Sequence, residues 1–425
     1  MAKFLFWKTK VDKIFITREE KLKKLLPSLR MIFFIFGIFC AWPDVNMEKN
    51  ALWWYRLKGI LFRIFFIYLG TASQIVYNFT VTTREELFGG MFVLLTQLVL
   101  ILKMEFFYKN VSKIQTLVRR LEGELYLPRS GEELVPLKRA RRKTTICWIL
   151  YFIFSDALVT KWFVLSCVYT IMLVPAWPFV DETSPYFLFL MMIAYQYFAL
   201  LFNSSFNIAW DSLVIALLAL TNAHLHRLQI QLMKVGHRKV KEQIDNKSVM
   251  IVQTVTKEKH SNDEIFNELL QCIVFHQEVT GLLRDVLKLF SGPMLAQLCC
   301  SVLILCITEF RLLTDVSTTA DTIKALCYLI CIIIQVVQYC YFGNEINYMS
   351  KKVHQATGFM NYPDMDIKTR KLLIAFQQLT AKGIQCSAKK VFTIELSMAT
   401  FVTVSSIDGD IMFNICLIIC FCFRF

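Results

Sequence analysis

The residues best suited to catalysis in this chain are its 6 histidines and 14 cysteines. Iron-binding boxes need several histidines at short, regular spacing, yet only His224 and His226 lie close together here. The cysteines form no Cys-x-x-Cys pair, and neither a P-loop nor a Gly-x-Ser-x-Gly nucleophile motif occurs. The sequence therefore predicts a protein that is not an enzyme and that uses no cofactor or metal.

Two charged residues, Asp156 and Lys161, lie inside a long apolar run. Charges at such positions are costly in lipid and usually functional. Their i, i+5 spacing is poor for a pair within one helix, because side chains three or four positions apart face each other. Three interpretations stay open: partners on other helices, snorkelling of Lys161 toward the membrane surface, and a role in ligand binding.

The apolar runs predict membrane-spanning helices. Of the 425 residues, 56% are hydrophobic and only 19% are charged, and the mean hydropathy is +0.49. A run of about 20 apolar residues crosses the hydrocarbon layer as a helix, which satisfies every backbone polar group in lipid. Seven spans are predicted: residues 57–79, 87–108, 144–172, 187–222, 286–310, 325–342 and a last one from Val391. The shorter run at 31–42 is predicted to lie in the membrane interface.

Basic residues indicate the orientation of the spans. Lysine and arginine concentrate in residues 1–50, 109–143, 223–285 and 344–390, which hold 37 of the 47, whereas the opposite side holds three. Because positive charge collects on the cytoplasmic side, we expect a cytoplasmic N-terminus and, after seven crossings, an extracellular C-terminus. The net charge of +14 is thus explained by topology, and no nucleic-acid partner is predicted.

The predicted outer segments are consistent with this orientation, and the motifs separate this chain from other classes of membrane protein. The sequon at Asn78 falls at the outer end of span one, where a glycan is expected, and no cysteine falls in a predicted outer loop. A G-protein-coupled receptor begins outside the cell, and neither an Asp-Arg-Tyr nor an Asn-Pro-x-x-Tyr motif occurs in the relevant spans. The odd number of spans also disfavours a transporter built from inverted repeats.

Helical patterns continue beyond the membrane on the cytoplasmic side. Span four is 36 residues long and runs on through HLHRLQIQLMKV, and a capping box at Ser261 begins a helix that leads into span five. A third apolar stripe lies in TRKLLIAFQQLTA. Such stripes need partners, which predicts a cytoplasmic helical anchor that assembles subunits. The expected divisions are 1–56 (N-terminal segment), 57–343 (spans one to six), 344–390 (anchor) and 391–425 (span seven).

Four stretches of the sequence carry a family resemblance: GIFCAWP at 37–43, VPAWPFVDETSPYFLFLMMIAYQ at 174–196, YCYFGNEINYMSKKV at 339–353 and the long segment at 366–404. They resemble the insect odorant receptor family, and within it a ligand-tuning subunit rather than the shared coreceptor. The resemblance implies an all-α fold of seven membrane helices with the N-terminus inside. It also implies a non-selective cation channel, gated by volatile ligands and formed as a heteromer, a tetramer in the family, with the odorant coreceptor in the plasma membrane of sensory neuron dendrites.

The resemblance places the odorant in the outer half of spans two, three, four and six. Such a pocket is mostly apolar with a few polar groups, and tyrosine or tryptophan supplies a hydrogen bond. The candidate odorant-binding residues are Met91, Phe92, Trp162, Phe163, Tyr169, Phe187, Met191, Tyr195, Leu326 and Ile330. The alternative for each is that it packs between helices or faces lipid.

The end of the chain departs from the family. Thr400, Phe401 and Val404 match the start of the pore helix, but the following SSIDGDIMFNICLIICFCFRF does not continue the family pattern. Asp408 and Asp410 would lie mid-span, where they are costly in lipid or line a wet pore; we favour a mispredicted or alternative terminal exon. An insect gustatory receptor, which shares fold and gating, is the alternative family.

Overall fold

The computed structural model describes ten stretches of the chain. These are residues 27–44, 47–81, 84–170, 172–177, 185–235, 262–314, 319–360, 362–384, 387–389 and 393–395. Eight helices are described, in the order α1 (Pro27–Ile38), α2 (Lys49–Thr80, with a π-helical turn at Ile64–Tyr68), α3 (Arg84–Leu121), α4 (Gly131–Tyr169), α5 (Tyr186–Lys234), α6 (Asn262–Thr314), α7 (Thr319–Gly358) and α8 (Ile367–Ala381).

Five of the first six predicted spans lie within a helix, and span three (144–172) extends beyond α4, which ends at Tyr169, so the all-α membrane fold is confirmed. Within the described stretches, five segments are long and apolar enough to cross a membrane, namely Lys49–Thr80, Gly131–Tyr169, Tyr186–Lys234, Asn262–Leu305 and Leu326–Gly358. The helix α3 is 38 residues long but carries Lys103 and Glu105 in its apolar stretch. Both charges are paired: Lys103 with α5, and Glu105 with Arg63 of α2.

The basic segment at 109–143, between predicted spans two and three, is mostly helical. The helix α3 continues to Leu121, and α4 begins at Gly131 after a short 3-10 turn at Glu124–Tyr126. Ser130 caps α4, because its hydroxyl accepts a hydrogen bond from the backbone N–H of Glu133 at 3.4 Å. Hydropathy did not show that α3 and α4 extend beyond their apolar runs, because charged residues end an apolar run without ending a helix.

The short apolar run near the N-terminus forms α1, which packs into the bundle. Leu29, Ile32 and Phe36 are buried, and the Phe36 ring lies 4.4 Å from the Phe107 ring of α3 and 5.3 Å from the Phe206 ring of α5. The prediction of an interfacial helix did not foresee this packing. The run is apolar on every side, so length alone does not separate a surface helix from one that packs against protein.

The inner half of α5 is the centre of the fold. Every residue from Ile208 to Thr221 is buried. A helix that is apolar all round must be covered on all sides, and α5 packs against α1, α3, α4, α6 and α7. The helix of span four continues as far as Lys234, as predicted; its position below the membrane stays a prediction.

The predicted helices of the cytoplasmic anchor are present as the start of α6 and as α8. On α6, Leu269, Ile273 and Leu282 are buried, whereas Leu270 is 41% exposed. On α8, buried Phe376 contrasts with Leu379, which is 55% exposed. The stripes therefore face the protein as expected, but each leaves apolar side chains uncovered.

The chain after α8 turns into a small hairpin rather than directly into a helix. Gly383 adopts a φ of +64°, which favours glycine, just after α8 ends. The strands β1 (Ser387–Lys389) and β2 (Thr393–Glu395) then pair antiparallel. Most of the predicted span seven, including Thr400, Phe401 and Val404, lies outside the described residues.

Candidate ligand cavity

Four helices line a cavity of about 110 Å³, here called the ligand cavity. It lies between α3, α4, α5 and α7, which carry spans two, three, four and six. Its walls are mostly apolar. They are formed by Val93, Thr96, Gln97, Leu100, Tyr151, Ser155, Leu158, Val159, Trp162, Leu200, Asn203, Ser204, Asn207, Tyr328, Cys331, Ile332 and Gln335.

Polar side chains occur at a few points of the cavity wall. The hydroxyls of Thr96 and Tyr328 are hydrogen-bonded to each other across α3 and α7, and those of Ser155 and Ser204 lie 2.8 Å apart across α4 and α5. Asn203 Oδ1 is buried and has no hydrogen-bond partner in the described structure. No histidine lines the cavity to act as a base, so the arrangement suits binding rather than catalysis.

A buried polar network forms one end of the cavity. Lys103 Nζ lies 2.6 Å from Asp211 Oδ1 and donates to Asn207 Oδ1 at 2.7 Å, and both charged side chains are almost completely buried. Asp211 also accepts hydrogen bonds from Tyr339, at 2.6 Å, and from Gln335. Low-dielectric surroundings make a paired buried charge tolerable and an unpaired one very costly, so this network locks α3, α5 and α7 together.

The network extends to a fourth helix. Gln297 of α6 donates to Gln335 Oε1 at 2.8 Å and to Ser301 at 3.2 Å. Because Asn207 and Gln335 also line the cavity, two members of the network are within reach of a bound molecule. Gln335 of the cavity wall is therefore joined directly, through its hydrogen bond with Gln297, to the contact between α6 and α7.

Comparison with known proteins identifies the family. The family model described as 7tm Odorant receptor matches residues 83–407, most of the chain. The chain belongs to the odorant receptor family. Odorant receptor Or1 of Anopheles gambiae is 28% identical over 382 residues, which are 86% of this chain and 89% of that protein. Odorant receptor 46a, isoform A, of Drosophila melanogaster is 21% identical over 347 residues, 80% of this chain and 85% of its own length.

Solved structures share the fold of this receptor. The insect olfactory receptor OR5 from Machilis hrabei superposes with a TM-score of 0.72 at 14% identity, covering 94% of this chain and 98% of the other. The same protein in complex with eugenol gives a TM-score of 0.69 at 15% identity, with coverage of 94% and 99%. The receptor is thus a multi-pass membrane protein of the odorant receptor family, not an enzyme, and the gustatory alternative falls away.

Of the ten predicted odorant-binding residues, the ligand cavity of this receptor includes Trp162 alone. The neighbouring Phe163 packs against the Tyr197 ring at 4.4 Å instead. Tyr195 donates to the backbone oxygen of Phe65 at 2.6 Å and lines a smaller cavity of about 30 Å³ next to α2.

The other predicted residues lie nearer the outer ends of the receptor helices. Tyr169, Phe187, Met191 and Leu326 are exposed, Met91 and Ile330 are half-buried outside the cavity wall, and the side chain of Phe92 lies outside the described residues. All ten predicted residues therefore lie on the four helices that line the cavity, but nine of them lie outside its wall, and their role in odorant binding stays a prediction. A usable signal was present: Thr96, Gln97, Ser155, Asn203, Ser204 and Gln335 are uncharged polar residues inside apolar runs.

Three further residues singled out in the sequence, Asp156, Lys161 and Asn78, lie outside the wall of the ligand cavity. Asp156 and Lys161 do not pair: Asp156 accepts a hydrogen bond from Ser204 at 3.4 Å, and Lys161 is exposed. Asn78 is half-buried within α2, where its amide donates to the backbone oxygen of Gln74 at 3.0 Å. Glycans attach to asparagines in surface loops, so this geometry lends no support to the expected glycan at Asn78.

Proposed function

We propose that this odorant receptor binds a volatile, largely apolar molecule in the ligand cavity, and that binding opens a non-selective cation channel formed with a coreceptor. The observation that carries the proposal is the cavity itself, lined by four helices and mostly apolar. Its volume of about 110 Å³ is of the same order as the ~150 Å³ apolar cavity that holds benzene in an engineered protein.

The polar groups on the wall favour a ligand that carries one oxygen function. Asn203 Oδ1 is a buried acceptor without a partner, so a ligand hydroxyl would satisfy it. The Ser204 hydroxyl, which donates its proton to Asp156, and the Tyr328 hydroxyl, which is bonded to Thr96, are acceptors that a ligand hydroxyl can also reach. A buried polar atom left unpaired costs about 1–3 kcal/mol, which is enough to rank an alcohol or phenol above a hydrocarbon of the same size. The related receptor solved with eugenol supports a ligand of this class.

Binding is transmitted through the buried network at the end of the cavity. A ligand that contacts Asn207 shifts its hydrogen bond from Lys103, and one that contacts Gln335 shifts the bonds to Asp211 and Gln297; together these bonds link α3, α5, α6 and α7. A ligand moves such an equilibrium only by its differential affinity for the two states. In the described arrangement Gln335 is bonded to both Asp211 and Gln297, so a ligand that bonds to Gln335 favours a second arrangement in which one of these bonds is released.

Uncovered apolar side chains beyond the spans support assembly with a coreceptor. Phe359 is 68% exposed, Ile367 is 72% exposed and Leu379 is 55% exposed, all on α8 or between α7 and α8. Apolar surface outside lipid marks a protein interface. In the orientation given by the basic residues, this surface is cytoplasmic and the receptor resides in the plasma membrane with its C-terminus outside.

Filling the ligand cavity tests the proposal. The Ser155→Phe variant places a ring in the cavity from α4, where it competes for the same space as the ligand. In cells that co-express the coreceptor, we expect the ligand concentration that gives half-maximal current to rise at least tenfold. The amount of receptor at the cell surface should change little.

The matched control is Ile153→Phe on the same helix, because Ile153 is 60% exposed on the outside of the bundle. This control is expected to keep the parent concentration dependence. Equal responses from Ser155→Phe and the parent receptor, at equal surface levels, would show that the ligand binds elsewhere.

A further inference from the structure

A second, larger cavity lies at the cytoplasmic ends of three spans and is here called the inner cavity. It has a volume of about 210 Å³ and lies between α4, α5 and α7. Its charged lining includes Arg139 and Lys143 of α4 and Lys352 of α7, with His226 of α5 between them. The basic run at 138–143 is part of the positive charge that gave the predicted orientation. Two of its residues, Arg139 and Lys143, also line the inner cavity, and the orientation of the chain alone does not explain that position.

The three cations are available to an anionic ligand. In the part of the chain that the structure describes, none of them forms an ion pair with a carboxylate. Lys143 Nζ donates to the Tyr341 hydroxyl at 2.9 Å, and Lys352 Nζ lies 4.7 Å from the centre of the Tyr348 ring. Positive charges gathered in a cleft without counter-charges attract anions.

One carboxylate also lines the inner cavity. Glu345 accepts a hydrogen bond from the Asn222 amide at 3.5 Å, so the cavity holds three cations against one anion. Burial, followed by the nearby charges of Arg139 and Lys352, lowers the pKa of His226, and this imidazole is therefore neutral at cytoplasmic pH. The net charge of the lining is positive without it.

An exposed apolar stripe begins directly beyond these cations. On α4, Arg139 and Lys143 are followed at helical spacing by Ile146, Leu150 and Ile153, which are 45%, 61% and 60% exposed. Positions three and four apart share one face of a helix, so charge and apolar stripe are continuous. A phospholipid matches this order, with its phosphate at the cations and its acyl chain along the stripe.

A buried hydrogen-bond acceptor in the cavity wall indicates a hydroxyl-bearing headgroup. Asn222 Oδ1 is buried and has no hydrogen-bond partner among the described residues, and Asn222 lines the inner cavity. An acceptor is of no use to a phosphate oxygen, but it suits a sugar-like hydroxyl. A phosphorylated polyol satisfies both the cations and this acceptor.

We propose that the inner cavity binds the phosphorylated headgroup of an inositol phospholipid of the cytoplasmic leaflet. The proposal takes only its orientation from the proposed function and is independent of odorant binding. Basic pockets between membrane helices on the cytoplasmic side bind such headgroups, and arginine grips phosphate through paired donors. The lipid would hold α4 and α7 together on the side opposite the ligand cavity.

Binding of a short-chain phosphatidylinositol bisphosphate to the purified full-length receptor tests the proposal. Native mass spectrometry measures the apparent affinity of the parent chain and of the double variant Arg139→Gln/Lys352→Gln. With two of the three cations removed, we expect an affinity loss of about tenfold or more. Both side chains are at least partly exposed, and size-exclusion profiles check that the variant is folded.

The matched control is Lys138→Gln/Arg142→Gln, which removes the same charge from exposed positions of α4 that do not line the cavity. We expect this control to bind within twofold of the parent. Equal losses in both variants, or no loss in either, would overturn the proposal.

Soluble anions distinguish the source of the phosphate. Inositol trisphosphate and inorganic phosphate are expected to compete only weakly, because they lack the acyl chain that lies along the α4 stripe. A free inositol phosphate that binds as tightly as the lipid would contradict a lipid site. A photoactivatable lipid should label α4 near 139–153, and labelling confined to other helices would also overturn the proposal.

Discussion

Replacing Lys103 by Met is expected to remove most of the receptor from the cell surface. Lys103 and Asp211 are paired at 2.6 Å and are among the most deeply buried charged residues described. Without the ammonium group, Asp211 keeps its hydrogen bonds from Tyr339 and Gln335 but has no compensating charge. Removing one partner of a buried pair costs about 3–5 kcal/mol, a large share of the ~5–15 kcal/mol that holds a typical domain folded. Surface biotinylation and the melting temperature of the purified receptor measure the loss.

The double variant Lys103→Met/Asp211→Asn separates pairing from simple side-chain loss. It removes both charges, and the asparagine oxygen still accepts from Tyr339, so much of the stability and surface expression should return. Lys161→Met is the control for losing a lysine from a membrane helix, because Lys161 is exposed. A stable single variant, or a double variant no better than the single one, would show that the pair is not what holds these helices.

Replacing Arg227 by Met is expected to unfold the region where α5 packs against the turn between α3 and α4. The guanidinium donates to the backbone oxygens of Tyr126, at 2.7 Å, and Leu127, at 2.8 Å, and it contacts Glu133 at 3.0 Å. Arg227 is fully buried. Its loss leaves two carbonyls and a carboxylate without their charged donor, and we expect a cost of about 3–5 kcal/mol, measured as surface expression and resistance to proteolysis.

The ionisation of Glu133 gives this variant a pH signature. Burial alone raises the pKa of the carboxyl, but hydrogen bonds from the Arg129 backbone N–H, Gln231 and Arg227 together lower it below its usual value. A lowered pKa contributes stability at neutral pH that is lost as the pH falls through the folded-state pKa. Removing Arg227 raises the pKa of Glu133, so the acid-dependent part of the stability should shrink in the variant.

Two controls bracket the effect of Arg227. Arg227→Lys keeps the charge but loses the fork that reaches several acceptors at once, so it should be intermediate. Lys234→Met breaks an ion pair with Glu132 in which both side chains are more than half exposed, and such pairs contribute at most about 1 kcal/mol. A receptor that tolerates Arg227→Met as well as Lys234→Met would refute the role of Arg227.

The sequence was sufficient for the helices but not for their ends. Apolar runs located α2 to α7, because hydrocarbon thickness sets the length of a span. The same signal did not indicate that α3 continues through residues 109–121, nor that one part of α1 packs against Phe107 and Phe206 while Phe34 is 71% exposed. Hydropathy reports the partition of side chains, not the continuity of the backbone or the packing of helices, and the interfacial position of α1 stays a prediction.

The ligand cavity shows a similar limit. Family resemblance indicated the four helices, but the choice of residues required the rotation and depth of each helix, which neighbouring helices set. Large aromatic residues such as Tyr169 and Phe187 attracted the prediction and are exposed, whereas small polar residues such as Ser155 and Ser204 line the wall. Polar side chains are expensive in lipid and therefore turn inward, which makes them the better guide to a site.

The most direct measurement is the position of a bound agonist in an experimental structure of the receptor assembled with its coreceptor. We expect density for the ligand between α3, α4, α5 and α7, in contact with Trp162, Ser204 and Tyr328. Ligand density among the outer ends of the helices, beside Tyr169 and Phe187, with this cavity unchanged, would contradict the account.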